Sequence, residues 1–337
     1  MATIAQALAQ SISGLYREVA EALPPGSMAL APPAEVESTA GEFQVVTAPG
    51  FPSRQTPVGV GPAAQHPTGI LTFARVAFSI GDPFLAPAYP ITDRELTALT
   101  TANRSLDPTR VSVNAIRRYL YDQHMQSAVT AAAGFTAGTS IDVSVQSTDL
   151  FTILQDARRA ICNARGLDHN TTRVVFVANR AAVQRMTQFD CVMQGPAIGV
   201  GTTGDAVRRL GTVPPDYLAT WLRTMLNIEL VVDDTLHLST AGTLTYTQSL
   251  AYLAVAEGGT GWSALKTLYV PMTDAQFTDE SREAGSIESG GLLRLNVTRN
   301  SGPQQAGWTI KGDGQWGVTV FDLSLGRKFT LSNVPAA

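Results

Sequence analysis

The sequence has little charge and almost no lysine. Charged residues make up 15% of the 337 residues, whereas soluble proteins average roughly 25%. Only Lys266, Lys311 and Lys328 are lysines, so arginine carries nearly all of the positive charge. A surface with so few charges is typical of a protein that is covered by other protein, because the cores of interfaces are depleted in charged residues.

Cysteine and histidine are also scarce, and their positions indicate neither disulfide nor metal chemistry. The two cysteines, Cys162 and Cys191, form no disulfide framework and do not lie at the spacing of metal ligands. We interpret both as small buried residues of a cytosolic protein. The four histidines are scattered along the chain, with no partner at metal-ligand spacing: His66, His124, His169 and His237. The sequence therefore predicts no metal and no cofactor.

No segment of the sequence indicates secretion or a membrane. The chain lacks a basic stretch followed by an apolar run at its start, and it lacks a run of 18 uncharged apolar residues. A formal net charge of −4 argues against a basic nucleic-acid-binding protein. The charge is uneven, however. Residues 150–225 have nine arginines against five aspartates, whereas the first 40 residues have four glutamates against Arg17.

Motifs that carry catalysis are weak or missing. Residues 199–204 (GVGTTG) match the G-x-G-x-x-G pattern, but no strand is predicted before them, and Gly211 with two prolines interrupts the helical stretch that follows. Neither a P-loop nor a G-x-S-x-G motif occurs. Asp233 and Asp234 are adjacent at a predicted strand end, so they point to opposite faces and are poorly placed for shared ligation. We predict no catalytic residue, although a soluble α/β enzyme that uses the loop 195–211 stays an alternative.

A long helix is predicted over residues 108–133. Asp107 followed by Pro108 is typical of a helix start, and Gly134 is typical of a helix end. Apolar and small residues follow one stripe at helical spacing: Val113, Ile116, Leu120, Ser127 and Ala131. The last third of the helix has mostly small side chains, so another backbone can approach it closely.

Two segments near the start of the chain have no evident place in the same domain. Apolar residues at steps of three and four predict an amphipathic helix over residues 1–23, which either docks on its own subunit or reaches a neighbour. Residues 43–80 hold two predicted strands, at 43–47 and 70–80, joined by 22 residues rich in proline and glycine. A loop of this length is uncommon in a compact domain, and its prolines reduce the entropy lost on ordering. We interpret it as an extended segment that lies on an adjacent subunit, with a plain mobile loop as the alternative.

The middle of the chain alternates between helices and strands. The predicted elements are helix 150–165 with Asp149 as its cap, strand 174–178, a helix capped by Asn179, helix 217–226 and strand 229–233. From residue 245 onward strands dominate, including a predicted hairpin of residues 309–311 and 318–325. We therefore predict an α+β fold in which an α/β domain is inserted into an outer domain built from both halves of the chain.

This order of elements resembles the major capsid proteins of tailed bacteriophages, whose fold is shared with encapsulins. Residues 91–134 look like the spine-helix region of that family. Residues 151–190 look like the helix, strand and helix that open its axial domain, and residues 221–234 look like a later helix and strand of that domain. The motifs that carry the resemblance are patterns rather than catalytic residues.

The resemblance implies a division of the chain and a function. The implied parts are an N-terminal arm (1–42), an extended β-hairpin loop (43–80), a peripheral domain (81–145 and 246–337) with the spine helix, and an inserted α/β axial domain (146–245). Such proteins assemble as hexamers and pentamers into an icosahedral shell around double-stranded DNA. The resemblance thus implies a non-enzymatic head protein of the virion, assembled in the bacterial cytoplasm. Its partners would be further copies of the chain, non-specifically contacted DNA, decoration or scaffolding proteins and a portal. An encapsulin, which encloses cargo in a shell of the same fold, is the closest alternative.

The resemblance also suggests contact residues and one missing reaction. Arginines that could meet acidic groups of adjacent subunits are Arg54, Arg158, Arg159, Arg208 and Arg209; the alternative for them is a solvated surface. Some members of the family join subunits through an isopeptide bond between a loop lysine and a neighbour's asparagine. Residues 43–80 contain no lysine, so this cross-link is not expected. An internal scaffolding segment is not expected either.

Overall fold

The computed structural model describes thirteen ranges of the chain. They are residues 26–33, 37–39, 42–46, 75–77, 84–92, 108–193, 217–233, 236–238, 246–257, 263–269, 286–289, 293–300 and 307–335. The predicted helix over residues 1–23 and the glycine-rich loop 195–211 lie outside them. The chain divides into two compact units, which we describe in turn: Met1–Met28 with Ser79–Ser127 and Thr267–Val318, and Ala29–Phe78 with Ala128–Lys266 and Thr319–Ala337.

The described residues form both helices and strands. The helices are α1 (Gly26–Leu30), α2 (Pro108–Ala131), α3 (Leu150–Ala164), α4 (Arg180–Met186), α5 (Asp190–Met193) and α6 (Tyr217–Leu226). The strands of the first half are β1 (Glu37–Thr39), β2 (Glu42–Val46), β3 (Arg75–Ala77), β4 (Phe84–Leu85), β5 (Tyr89–Thr92), β6 (Thr136–Ala137), β7 (Ile141–Asp142) and β8 (Arg173–Ala178). Those of the second half are β9 (Ile228–Val232), β10 (His237–Leu238), β11 (Tyr246–Glu257), β12 (Leu265–Tyr269), β13 (Ser286–Ser289), β14 (Leu293–Asn300), β15 (Gly307–Gly314), β16 (Trp316–Val320) and β17 (Gly326–Pro335).

The first unit is built on an antiparallel sheet against one face of α2. Strand β14 pairs with β13 and β15, and the other edge of β15 pairs with β4 and β5. The buried cluster between sheet and helix comprises Ile91, Val113, Ile116, Leu120, Trp308, Ile310 and Trp316. Each fully buried apolar side chain of this size stabilises the fold by about 1.5–3 kcal/mol.

Helix α2 confirms the long helix that the sequence predicts. It begins at Pro108 and spans 24 residues, which makes it about 36 Å long; a 3-10 turn over Ala132–Gly134 follows it. Three residues of the predicted stripe, Val113, Ile116 and Leu120, are buried. Further along, the stripe advances by steps of four through His124 and Ala128, and the predicted Ser127 and Ala131 are only half-buried.

The second unit contains a mixed sheet in the order β6-β17-β11-β8-β9. Strand β8 is parallel to β9 and antiparallel to β11, which in turn is antiparallel to β17. Residues Val174 to Ala178 of β8 are all buried, as expected of a central strand covered on both faces. The predicted elements of this region are confirmed: α3 carries the cap Asp149, α4 carries the cap Asn179, and α6 has the predicted bounds.

This sheet draws on more of the chain than the predicted axial range 146–245. Tyr252 of β11 lies opposite Val177 of β8, and Phe329 of β17 lies opposite Ala251 of β11. Residues 246–266 and 319–337 therefore belong to the same compact unit as the α/β elements. The reason is physical: strand pairing joins residues that are far apart in sequence. The division into a peripheral and an axial domain stays a prediction.

A small antiparallel sheet forms the base of the predicted extended loop. Strands β1, β2 and β3 pair in that order, with Val45 opposite Val76. Strand β2 is antiparallel to β3, and the extended hairpin loop itself stays a prediction. Residues 47–74, which include Arg54, lie outside the described residues.

The predicted hairpin of residues 309–311 and 318–325 is wrong. In the described part of the chain, β15 pairs with β14, β4 and β5, while β16 pairs with β12. A single residue, Gln315, connects β15 to β16, and two residues are the usual minimum for a hairpin turn. The chain instead turns into the core at Trp316, which is buried.

Candidate functional site

The structure places two of the five predicted contact arginines. Arg158 and Arg159 both lie on α3, whereas Arg54, Arg208 and Arg209 lie outside the described residues. The adjacent arginines differ in environment, because successive residues of a helix point in directions about a quarter of a turn apart.

Helix α3 holds these arginines in a fixed position. Its cap, Asp149, accepts hydrogen bonds from the backbone nitrogen of Thr152 at 3.1 Å and from the Thr152 hydroxyl at 2.6 Å. These two hydrogen bonds lower the pKa of the Asp149 carboxyl, because they favour its charged form. The inner face of the helix is anchored by Leu150, Leu154 and Ile161, which are buried.

The side chain of Arg158 makes a hydrogen bond within its own chain. It is half-buried, and its guanidinium donates a hydrogen bond to the backbone carbonyl of His169. This contact joins α3 to the loop 166–172, which leads into β8. The prediction that Arg158 meets a neighbouring subunit stays a prediction, but part of its hydrogen-bonding capacity is used within the subunit.

Arg159 is open to solvent. Its side chain is 59% exposed and lies 3.8 Å from the carboxylate of Asp156, which is 65% exposed. Exposed pairs of this kind contribute little to stability. The Arg159 guanidinium is therefore accessible for contact with another molecule.

The loop after α3 is held by a network around Asp168. Its carboxylate accepts hydrogen bonds from the backbone nitrogen of Asn170 at 2.9 Å and from the Thr171 hydroxyl at 3.3 Å. The Thr172 hydroxyl donates to the backbone carbonyl of Asp168 at 2.6 Å. Gly166 begins the turn with a φ of +64°, a conformation that glycine adopts without a steric penalty. Hydrogen bonds between its own residues therefore hold this loop in one conformation.

This loop forms one wall of a cavity of about 380 Å³ at the beginning of the parallel strands β8 and β9. The lining residues are Asn170, Thr171, Thr172, Arg173, Val174, Arg223, Asn227, Ile228 and Glu229. Asn227 connects α6 to β9 with a φ of 49°, and its side-chain nitrogen donates to the carbonyl of Asn170 at 3.3 Å. The two walls are therefore joined by a hydrogen bond.

The charges of this cavity are unequal. Arg173 Nε lies 2.8 Å from Glu229 Oε2, and this hydrogen bond raises the pKa of Arg173. Arg223, in the last turn of α6, is exposed, and its guanidinium has no ion-pair or hydrogen-bond partner within the described ranges. No local sequence pattern distinguishes Arg173, Arg223 or Asn227. They meet because β8 pairs with β9 in the register that places Val174 opposite Ile228.

The described residues include no group of three or more histidine, cysteine, aspartate or glutamate side chains that could hold a metal ion. Within the same residues, none of the helices combines the length and the apolar character that crossing a membrane requires.

The sequence matches no protein-family profile and no curated protein. Solved structures, in contrast, match over most of the chain. A phage-related protein from Bordetella bronchiseptica matches with a TM-score of 0.52 and 12% identity, over 95% of this chain and 96% of that one. The capsid of the cyanophage P-SCSP1u matches with a TM-score of 0.51 and 13% identity, over 89% and 86% of the two chains. The chain has the phage capsid fold.

A third structure agrees with this assignment of the capsid fold. The capsid of Ralstonia phage GP4 matches with a TM-score of 0.50 and 12% identity, over 90% of this chain and 86% of that one. The mixture of helices and sheets that the sequence predicts is thus confirmed as a capsid fold. At this level of identity the fold is what the chains share, and side-chain roles have to be argued from this chain itself.

Proposed function

We propose that this protein is a major capsid protein of a tailed bacteriophage. In this proposal it assembles as hexamers and pentamers into an icosahedral shell that encloses the double-stranded DNA genome. It is then a structural component of the virion, assembled in the cytoplasm of the host, and it is not an enzyme.

One observation carries the proposal: the capsid fold extends over nearly the whole chain. The match to the capsid of the cyanophage P-SCSP1u covers 89% of this chain and 86% of that capsid chain. A match that included only the α/β sheet would be compatible with many unrelated functions, because common folds host many activities. Agreement of the fold over 89% of the chain is much more restrictive.

The parts of the fold then take the roles that the resemblance implies. We propose that α2 is the spine helix of the peripheral domain, that the α/β elements around β8 form the axial domain, and that the hairpin from β2 to β3 is the extended loop. Residues 1–42 are the N-terminal arm. In a closed shell, many small interfaces of one type act together, so each of them can be weak. The low content of charge, 15%, is compatible with such a covered surface.

The predicted arginines are proposed as contacts between copies. Arg159 is the best supported, because its exposed guanidinium makes only a long contact with Asp156. Arg158 is partly engaged by the carbonyl of His169, so it has less capacity for a neighbour. Arg54, Arg208 and Arg209 are proposed from the sequence alone.

Other partners follow from the same proposal. Packaged DNA would be contacted non-specifically, since the chain carries a net charge of −4 and has no run of basic residues suited to base recognition. Decoration or scaffolding proteins and a portal complete the proposed set of partners.

Expression of the full chain tests the proposal. Sedimentation and negative-stain microscopy should reveal closed shells with fivefold vertices, and a chain that stays monomeric would contradict it. A second measurement separates a phage head from a cargo-enclosing shell. Particles from phage-producing cells should contain nuclease-protected DNA, with this chain as their most abundant protein; protein-filled particles without DNA would favour an encapsulin.

A further inference from the structure

The cavity at the start of β8 and β9 holds an arginine whose charge nothing in the described residues neutralises. Arg173 is balanced by Glu229, at 2.8 Å. Arg223 has no such partner in the described part of the chain and is exposed. The lining has two arginines and one glutamate, and Glu257, opposite Arg173 in the sheet, is a second carboxylate that acts on Arg173. Within the described residues, Arg223 is therefore the arginine of the lining that has no carboxylate partner.

The walls of the cavity are fixed before any ligand enters. Asp168 ties the loop through the backbone of Asn170, Arg158 holds the carbonyl of His169, and Asn227 donates to the carbonyl of Asn170. Binding against walls that are already ordered loses little conformational entropy, and the exposed side chain of Arg223 is the main group left to be ordered. A built cavity that contains this arginine thus exists on the second unit without a described function.

We propose that this cavity receives a carboxylate from an acidic segment of a second copy of the chain. This inference rests on the proposed function, in which copies of the chain contact one another. The segment that we assign to the cavity is 274–283, which has four acidic residues against one arginine. Its charged residues are Asp274, Asp279, Glu280, Arg282 and Glu283. Arg223 binds the carboxylate as a charge-assisted hydrogen-bond donor.

The charge of the cavity favours a carboxylate over nucleic acid. Duplex DNA carries about one negative charge per 1.7 Å of its length, and its binding surfaces are correspondingly basic patches or stripes. Here Arg223 is the one arginine of the lining that has no carboxylate partner among the described residues, which is far too little positive charge for a row of phosphates. A single carboxylate matches the one guanidinium of Arg223, and a volume of about 380 Å³ accommodates one or two side chains.

Charge reversal in the full-length chain tests the proposal, with particle yield as the readout. Arg223→Glu should reduce the yield by at least about tenfold, because it places like charges together at every copy of the contact. Arg223→Lys should retain most of the yield. The matched control is Arg185→Glu, since Arg185 is also an exposed arginine in the last turn of a helix but does not line the cavity.

A charge swap then tests the identity of the occupant. Asp279→Lys with Glu280→Lys should reduce the yield, and combining this pair with Arg223→Glu should restore it. A peptide of residues 272–285 provides a direct probe. The wild-type chain should bind it in fluorescence anisotropy, and Arg223→Glu should weaken that binding by at least about tenfold while Arg185→Glu leaves it unchanged.

The outcomes separate this inference from the proposed function. Wild-type assembly alone decides the proposed function, and if the wild-type chain forms no particles, the peptide measurement still decides the role of the cavity. Normal assembly of Arg223→Glu, an absence of peptide binding, or a swap that fails to restore particles would overturn the inference. Normal particles that lose only their protected DNA would assign the cavity to nucleic acid and overturn it as well. An unchanged melting midpoint shows that the Arg223→Glu chain folds.

Discussion

The imidazole Nε2 of His124 lies 3.0 Å from the hydroxyl oxygen of Thr267. Both residues are completely buried, His124 on α2 and Thr267 on β12. The ring of His124 also packs edge-on against Trp316, with 5.5 Å between the ring centroids. A polar side chain in this position makes the stability of the first unit sensitive to pH, because a proton on the imidazole would place a charge in an apolar environment.

We expect stability to fall between neutral and mildly acidic pH. Burial lowers the pKa of His124 from 6.5 to about 4, so below pH 6.5 the unfolded chain binds a proton that the folded chain does not. The stabilising difference is complete above pH 6.5 and is lost progressively as pH falls toward 4. Between pH 7.5 and pH 5 the free energy of unfolding should decrease by about 2 kcal/mol from this residue. Urea denaturation at fixed protein concentration measures it.

The test of this prediction is a substitution of His124, and the control is the same substitution at a second histidine, His169. His124→Gln should remove most of this pH dependence, whereas His169→Gln, a change in the loop 166–172, should preserve it. Equal pH dependence in the wild type and in His124→Gln would contradict the assignment to His124.

Trp316 should be one of the most sensitive core positions of the first unit. It is 2% exposed, and it stacks on Phe84 with 4.4 Å between centroids; its indole nitrogen also donates to the Ser127 hydroxyl at 3.4 Å. Trp316→Ala should lower the free energy of unfolding by about 3–5 kcal/mol, the usual cost of such a cavity. Leu85→Ala, next to Phe84 but 70% exposed, should change it by less than about 0.5 kcal/mol. Similar losses for the two variants in chemical denaturation would refute the described packing.

The ion pair of Arg165 and Asp322 should stabilise the second unit. Arg165 Nε lies 2.5 Å from Asp322 Oδ2, and the Asp322 side chain is 7% exposed. Burial alone would raise the pKa of Asp322, but the hydrogen bonds from Arg165 and Ser324 outweigh it and lower the pKa below 3.8. This contribution is therefore present above pH 3.8 and is lost as pH falls below it. Asp322→Ala should cost about 2 kcal/mol at pH 7, since it removes the carboxylate that the partly buried Arg165 binds.

The surface pair of Arg159 and Asp156 is the comparison for that measurement. Asp156→Ala breaks a contact of 3.8 Å between two exposed side chains, so it should cost less than about 0.5 kcal/mol. A double-mutant cycle with Arg165→Ala and Asp322→Ala gives the coupling energy directly. A coupling as small as that of the surface pair would contradict the buried interaction.

Gly307 should not tolerate a side chain. A Cβ atom there would collide with the backbone carbonyl of Ile91 and lie 2.9 Å from Thr92 Cα, because β15 and β5 approach closely. Gly307→Ala should therefore destabilise the fold by about 1–3 kcal/mol in thermal or urea unfolding. Gly166 provides a contrast: its Cβ would meet nothing within 4 Å, but its φ is +64°, so Gly166→Asn should be milder than Gly166→Val. The reverse order at Gly166, or no effect at Gly307, would contradict the backbone geometry.

Assembled subunits should separate as single chains on a denaturing gel. The extended-loop range 43–80 has no lysine to act as the nucleophile of an isopeptide bond. Boiling assembled particles in detergent and reducing agent should thus yield one band near 35.7 kDa. A ladder of covalent oligomers would refute the prediction.

The sequence determined those features of this protein whose causes are local. Pro108 begins α2, Asp149 and Asn179 cap α3 and α4, and the alternation of these helices with β8 and β9 is visible in the order of apolar and capping residues. Such elements depend on hydrogen bonds and side chains a few residues apart, so their bounds follow from the sequence alone. The resemblance to capsid proteins depended on the same local order.

Only the tertiary structure decided which distant segments meet. In the tertiary structure, β11 and β17 belong to the sheet of β8, and β15 and β16 belong to different sheets. Arg173 and Arg223 line one cavity. Arg158, a predicted contact between subunits, donates a hydrogen bond to the carbonyl of His169. These outcomes depend on pairing and packing between residues far apart in sequence, where several arrangements satisfy the same local pattern. Their relative free energies are set by the whole core rather than by any one segment.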